Sequence, residues 1–246
     1  MIRAVAASLT VAIAGCAAPP DRELRRPEAV AATRFEQRDV VVAGMRLRYV
    51  DEGPRRTGAE TVFIFPGHTA RIEDYDTLVA PLAERRRVIL ADLPGKGYSD
   101  KPDRPYSFAF YGDVVLELMD ELGVQRAHLI GGSLGGNLAL RITARAPDRV
   151  DRIVAWGPGS AWEARPWLAS LIRWFGSYPL FWPAIRIHSS FWYSADNPGR
   201  EALLARKFAY YEEVMGPVFV RMYVDMAADS VGTSLFDFAP HIDRPV

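Results

Sequence analysis

Cysteine is almost missing from this chain: of 246 residues only Cys16 carries a thiol. A disulfide framework within the chain is therefore excluded, and the odd cysteine needs its own explanation. Lysine is nearly as scarce. Among 30 basic residues only Lys96, Lys101 and Lys207 are lysine, a bias we attribute to genomic base composition rather than to chemistry. Neither charge predominates, because 30 acidic residues balance the 30 basic ones. The basic stripe of a nucleic-acid surface is absent, so no nucleic-acid partner is expected. No internal repeat is visible, and no metal or cofactor is expected.

What is present is a chain that is 49% hydrophobic and 24% charged. That composition fits one globular domain with a sizeable core. The N-terminus is set apart. Met1-Ile2-Arg3 carries one positive charge, and Ala4 to Ala14 is an uncharged, mostly apolar run. The run is too short to span a bilayer as a helix and has the form of a secretory h-region. It ends in Ile13-Ala14-Gly15-Cys16, which resembles the lipobox of bacterial lipoproteins. The resemblance implies a signal peptide over 1–15, lipidation at Cys16 and a lipid-anchored protein of the bacterial envelope, with the membrane as partner. An ordinary signal peptide with an incidental cysteine is the alternative. Residues 16–33, with Pro19-Pro20 and a mixed-charge run, are expected to form a tether.

From residue 34 short apolar runs take over. Asp39–Ala43 and Leu47–Val50 flank Gly44 as a hairpin. Four further runs, at Thr61–Phe65, Val88–Ala91, Ala127–Ile130 and Ile153–Trp156, each end in a glycine-bearing turn. Their lack of alternation suits strands buried on both faces of a parallel sheet. Amphipathic stretches at Tyr75–Arg86, Tyr111–Leu122 and Leu134–Ala146 lie between them as helices. The alternation predicts an α/β doubly wound, mostly parallel sheet. After Gly159 it stops, and all six tryptophans fall between Trp156 and Trp192.

Gly131-Gly132-Ser133-Leu134-Gly135 has the form G-x-S-x-G. An apolar strand run precedes it and an amphipathic helix follows, the setting in which such a serine stands exposed on a strained strand-to-helix turn. Gly131 and Gly135 would remove β-carbons that clash in so tight a turn. The helix behind the serine offers free N–H groups to a developing oxyanion. Ser133 is therefore the candidate nucleophile.

Two further segments carry a family resemblance. Phe63-Ile64-Phe65-Pro66-Gly67-His68 resembles the strand and turn that supply the second oxyanion donor. Asp92-Leu93-Pro94-Gly95-Lys96-Gly97-Tyr98-Ser99 resembles the D-x-P-G-x-G-x-S signature of lid-bearing members of the α/β-hydrolase fold, in the branch of esterases and carbon–carbon bond hydrolases. The resemblance implies an oxyanion hole made by the backbone N–H groups of His68 and Leu134. It also implies that Asp92 stabilises its own turn rather than serving as a triad acid. The family usually has histidine where this chain has Pro66; a competing reading makes His68 the base, against its place at a strand end on the oxyanion side. His128 is expected to be a core residue and His188 a surface residue of the aromatic segment.

The implied organisation is a hydrolase core over 34–158, a helical lid over 159–236 that covers Ser133, and a return to the core over 237–246. The family order of nucleophile, acid and histidine would place the acid and the histidine beyond Val246. The sequence is thus expected to be C-terminally truncated and, by itself, inactive. Glu163 is a poor substitute for the acid. The expected function is a serine hydrolase that cleaves an ester or related bond of a hydrophobic small molecule through an acyl-enzyme on Ser133. The alternatives are a non-catalytic lipoprotein that binds a lipid or a partner, and a proline-iminopeptidase-like peptidase.

Overall fold

The computed structural model describes residues 33–55, 60–159, 163–176, 183, 185, 187, 194–214, 216–243 and 245. Residues 1–32, which hold the expected signal peptide, Cys16 and most of the expected tether, lie outside the described residues, as does His188.

Strands β1 (Arg38–Val42) and β2 (Met45–Glu52) form the expected hairpin. Ala43 and Gly44 both have positive φ, 49° and 74°, the backbone of a two-residue turn whose twist matches that of its strands. Strands β3 (Thr61–Phe65), β4 (Arg87–Ala91), β5 (Ala127–Gly132) and β6 (Val150–Trp156) complete one six-stranded sheet in the order β1-β2-β4-β3-β5-β6. β1 and β2 run antiparallel to their neighbours, and β4, β3, β5 and β6 are mutually parallel.

Helix α1 (Asp76–Ala83) covers one face of the sheet, over Val50, Val62, Ile64, Val88 and Leu90. Helices α2 (Phe108–Glu121) and α3 (Leu134–Arg145) cover the other face, over Leu47, Phe63, Ile89 and Leu129. Helix α2 begins three residues before the expected start. Ser107 caps it, its side chain accepting from the Phe110 N–H at 3.1 Å, and Phe108 and Phe110 extend its buried face.

Strands β3 and β4 are buried on both faces as expected. β6 departs from that expectation: Val154 is 55% exposed and Trp156 49%. It is the last strand in the sheet order, and one of its faces is uncovered. The Ile153 N–H donates to the Pro245 carbonyl at 2.9 Å, so residue 245 lies back against the sheet beside β6. Beyond Gly159 the described residues form helices α4 (Pro166–Phe175), α5 (Arg200–Val214) and α6 (Pro217–Gly232), with α4 packed on α6.

A buried ion cluster ties the loops at the carboxyl ends of the strands together. Asp92, fully buried at the end of β4, accepts from Arg48 Nε at 2.8 Å, from the Ile72 N–H at 3.0 Å and from the Tyr98 N–H at 3.2 Å. Arg48 also reaches Glu73 at 2.6 and 3.0 Å. Ser99 Oγ donates to the Asp92 carbonyl at 2.6 Å and accepts from the Arg48 N–H at 2.8 Å. Gly97 has φ +48°, and a β-carbon there would sit 1.8 Å from Asp92 Oδ2. The motif's second glycine is therefore required by its own aspartate. Arg48→Met would leave the Asp92 carboxylate buried without its guanidinium, and Glu73 with Arg71 alone, 3.5 Å away. We expect it to cost about 3–5 kcal/mol, read from the urea midpoint at constant m-value. A loss below about 1 kcal/mol would show that the cluster contributes little.

Candidate active site

Ser133 sits between β5 and α3 with φ 53° and ψ −122°. A non-glycine residue there stores roughly 1–3 kcal/mol of backbone strain, which the surrounding packing must hold. Glycines make that packing possible. A β-carbon on Gly131 would lie 2.3 Å from the Gly135 carbonyl carbon, and one on Gly135 would lie 2.0 Å from the Phe65 carbonyl oxygen. A β-carbon on Gly132 would meet the Trp156 ring at 2.3 Å. The Ser133 N–H donates to the Trp156 carbonyl at 3.0 Å, which fixes the entry to the turn. The Ser133 residue is exposed, while Leu134 behind it is buried. As the first residue of α3, Leu134 has an N–H with no acceptor one helical turn back.

The Pro66-Gly67-His68 turn lies against this elbow. A β-carbon on Gly67 would be 3.9 Å from Ser133 Cβ and 3.6 Å from the Gly132 carbonyl oxygen. Three groups hold the turn. The Gly67 N–H donates to Tyr75 Oη at 3.0 Å. Lys96 Nζ donates to the Pro66 carbonyl at 3.2 Å and to the Gly67 carbonyl at 2.9 Å. The Ala70 N–H donates to the Gly67 carbonyl at 3.2 Å. Lys96 is 1% exposed. Burial pulls its ammonium pKa down to about 7, with Lys207 pulling the same way and Asp92 opposing. Neither Lys96 nor Tyr75 was legible as part of this site: each falls in a motif or helix position where many side chains would serve.

Residues of the last two helices pack over the same loops. Tyr223 of α6 stacks on the His68 ring, centroids 4.0 Å apart and planes 11° apart. On α5, Tyr210 Oη accepts from the Gly97 N–H at 2.9 Å, and Lys207 Nζ pairs with Asp74 at 2.8 Å. Glu213 accepts from Tyr98 Oη at 3.2 Å. Burial raises the Tyr223 phenol to about 12. The tryptophans among the described residues behave otherwise: Trp156, Trp167 and Trp174 all present exposed rings.

The described histidines lie in three separate surroundings. His68 is held face to face with Tyr223 on the Pro66-Gly67-His68 turn. His128 lies at the other end of β5 from the elbow, paired with Val62 in register and 3.5 Å from Glu60. Five residues of strand amount to roughly 16 Å. His241 lines a cleft of about 350 Å³ with Phe108, Phe238, Arg141 and Arg145. Those arginines are eight and twelve residues along the chain from Ser133, roughly 12–18 Å of helix away. The expectation that Asp92 serves its own turn fits its bonds to Arg48, Ile72 and Tyr98. Glu163 is exposed. Among the described residues no group of three or more His, Cys, Asp or Glu side chains could hold a metal ion, and no helix is long and apolar enough to cross a membrane.

Against known proteins, residues 60–220 match a family model described as the alpha/beta hydrolase fold. The chain is 36% identical over 124 residues to a 2-hydroxymuconate semialdehyde hydrolase of Pseudomonas sp. strain CF600, covering 49% of this chain and 42% of that protein. It is 32% identical over 139 residues to the dihydrolipoyllysine-residue acetyltransferase component of the acetoin cleaving system of Cupriavidus necator, covering 56% of this chain and 35% of that protein. The matched region thus spans well under half the length of these curated relatives. Among solved structures, the enol-lactonase from Burkholderia xenovorans LB400 superposes with a TM-score of 0.66 at 24% identity, over 84% of this chain and 78% of that one. That likeness carries the fold.

Proposed function

The chain belongs to the α/β-hydrolase family, and from that premise we propose that the whole protein is a serine hydrolase that cleaves an ester or related bond of a hydrophobic small molecule through Ser133. The observation that carries this reading is the strained, exposed Ser133, with φ 53° at the head of α3 and the Gly67 turn within van der Waals reach. In the reaction Ser133 Oγ bonds to the substrate carbonyl carbon while its proton passes to a base. The carbonyl π electrons move onto oxygen, between the N–H groups of His68 and Leu134. Collapse expels the alcohol, which takes the proton back, and leaves an acyl group on Ser133. Water then repeats the sequence, releasing the acid and restoring the hydroxyl.

The base and its orienting acid belong outside the described residues in this reading. The described histidines stand with Tyr223, with Glu60 and in the cleft of Arg141. Helices α4 to α6 serve as the lid over Ser133, and the aromatic content of that segment supports an apolar substrate. In the whole protein, Ser133→Ala is expected to lower turnover of a short-chain p-nitrophenyl ester by several orders of magnitude. Residues 17–246 alone are expected to turn it over at a near-background rate equal to that of their own Ser133→Ala variant. A rate more than about a hundredfold above that variant, the scale of acid–base assistance, would place a base within this chain and make His68 the first suspect.

Cys16 is proposed to carry a diacylglycerol anchor, which supports placement in the bacterial envelope. The expected result is that Cys16→Ser moves the protein from the detergent-rich to the aqueous phase on cloud-point separation. Unchanged partitioning would refute the anchor.

A further inference from the structure

Lysine is so rare in this chain that a buried one calls for a reason. Lys96 lies in the turn after β4, 1% exposed, and its Nζ donates to the carbonyl oxygens of two successive peptide units, Pro66–Gly67 and Gly67–His68. The second unit is the decisive one. A peptide group is planar and trans, so its carbonyl oxygen and its N–H point in opposite directions. The Gly67 carbonyl and the His68 N–H are the two ends of one such unit. A donor fixed on the carbonyl therefore fixes the direction of the N–H. A positive charge on that side also draws electron density toward the carbonyl and makes the N–H a stronger donor. The neighbouring peptide is pinned at both ends, its carbonyl by Lys96 and the Gly67 N–H by Tyr75 Oη.

We propose that Lys96 is a positioning residue for the oxyanion hole, holding and polarising the Gly67–His68 peptide so that the His68 N–H meets the developing oxyanion. The inference rests on the reading of Ser133 as nucleophile. It adds a residue that neither touches substrate nor belongs to the triad.

The charge on Lys96 is poised. Asp92 attracts it, and Asp92 is itself paired with Arg48. Lys207 on α5 repels it, and Lys207 is paired with Asp74. The Tyr111 ring on α2 lies 5.9 Å from Nζ, and its hydroxyl is turned to the Pro94 carbonyl. Burial leaves the pKa at about 7. The sign follows directly: below that pH the ammonium polarises the peptide, and above it a neutral amine keeps at most a weaker hydrogen bond. The contribution of Lys96 to the rate is therefore present on the acid side and fades as pH rises through about 7.

The test compares the whole wild-type protein with Lys96→Met and Lys96→Gln on a short-chain p-nitrophenyl ester between pH 5.5 and 9. Removing one oxyanion donor outright costs about 10²–10³ in kcat, and loosening one costs less. At pH 6, Lys96→Met is expected to lower kcat about tenfold with KM changed less than threefold, and Lys96→Gln, which keeps a neutral donor, to fall between. The wild-type-to-Met ratio should shrink toward one by pH 9. A ratio independent of pH, an effect on KM alone, or no effect would overturn the proposal. Should both variants fail to fold, the wild type decides. A kcat/KM that falls above about pH 7 supports the role, and one that stays level to pH 9 overturns it. Ser133→Ala in the same assay separates the two readings. Turnover surviving in that variant defeats the nucleophile and the Lys96 role together, whereas its loss beside an unaffected Lys96→Met defeats the Lys96 role alone.

Discussion

Helix α3 lies so close to β3 that a methyl group at residue 135 would sit 2.0 Å from the Phe65 carbonyl oxygen. That approach brings the head of the helix against the sheet, and the chain leaving β5 must turn within a single residue to enter it. Ser133 is that residue, and its positive φ follows from the geometry rather than from any preference of serine. The same closeness sets the Pro66-Gly67-His68 turn, which continues from Phe65, beside the Ser133 side chain. Without the three glycines at 131, 132 and 135 the helix would stand off, and the elbow and its neighbouring turn would separate.

Much of this was legible in the sequence because glycine and short apolar runs are local signals. The strand at Thr61–Phe65 appears with the bounds its apolar run suggests, ended by Pro66-Gly67. The turn at Gly97 was visible as a motif, and the 1.8 Å approach to Asp92 gives its physical reason. Helix starts were harder. Ser107 displaces the start of α2 by three residues through one capping bond that the apolar period does not reveal. The exposure of β6 is not legible in its run, because Ile153–Trp156 says that a strand is apolar, not that something covers it. Val154 and Trp156 are half exposed at the last strand in the sheet order.

The site's supporting residues were hidden for a different reason. Lys96 and Tyr223 act through contacts with segments distant in the chain, and Tyr75 through a bond to Gly67 eight residues before it; no spacing rule links them. The clasp between α5 and the loops after β3 and β4 is of the same kind. Lys207 to Asp74, Tyr210 to Gly97 and Glu213 to Tyr98 each span more than a hundred residues. The three lysines share one trait: Lys96 and Lys207 are buried and Lys101 partly so, and burial lowers each pKa. In a chain whose other basic residues are arginine, lysine occupies places where a compact ammonium meets backbone carbonyls or a carboxylate in a tight space.

The account turns on Ser133 as the residue that accepts the acyl group. Treating the whole protein with a fluorophosphonate and mapping the adduct by peptide mass spectrometry tests that most directly. The account predicts a single stoichiometric adduct on the peptide that contains Ser133, lost in Ser133→Ala. An adduct on another residue, or labelling that survives the substitution, would contradict it.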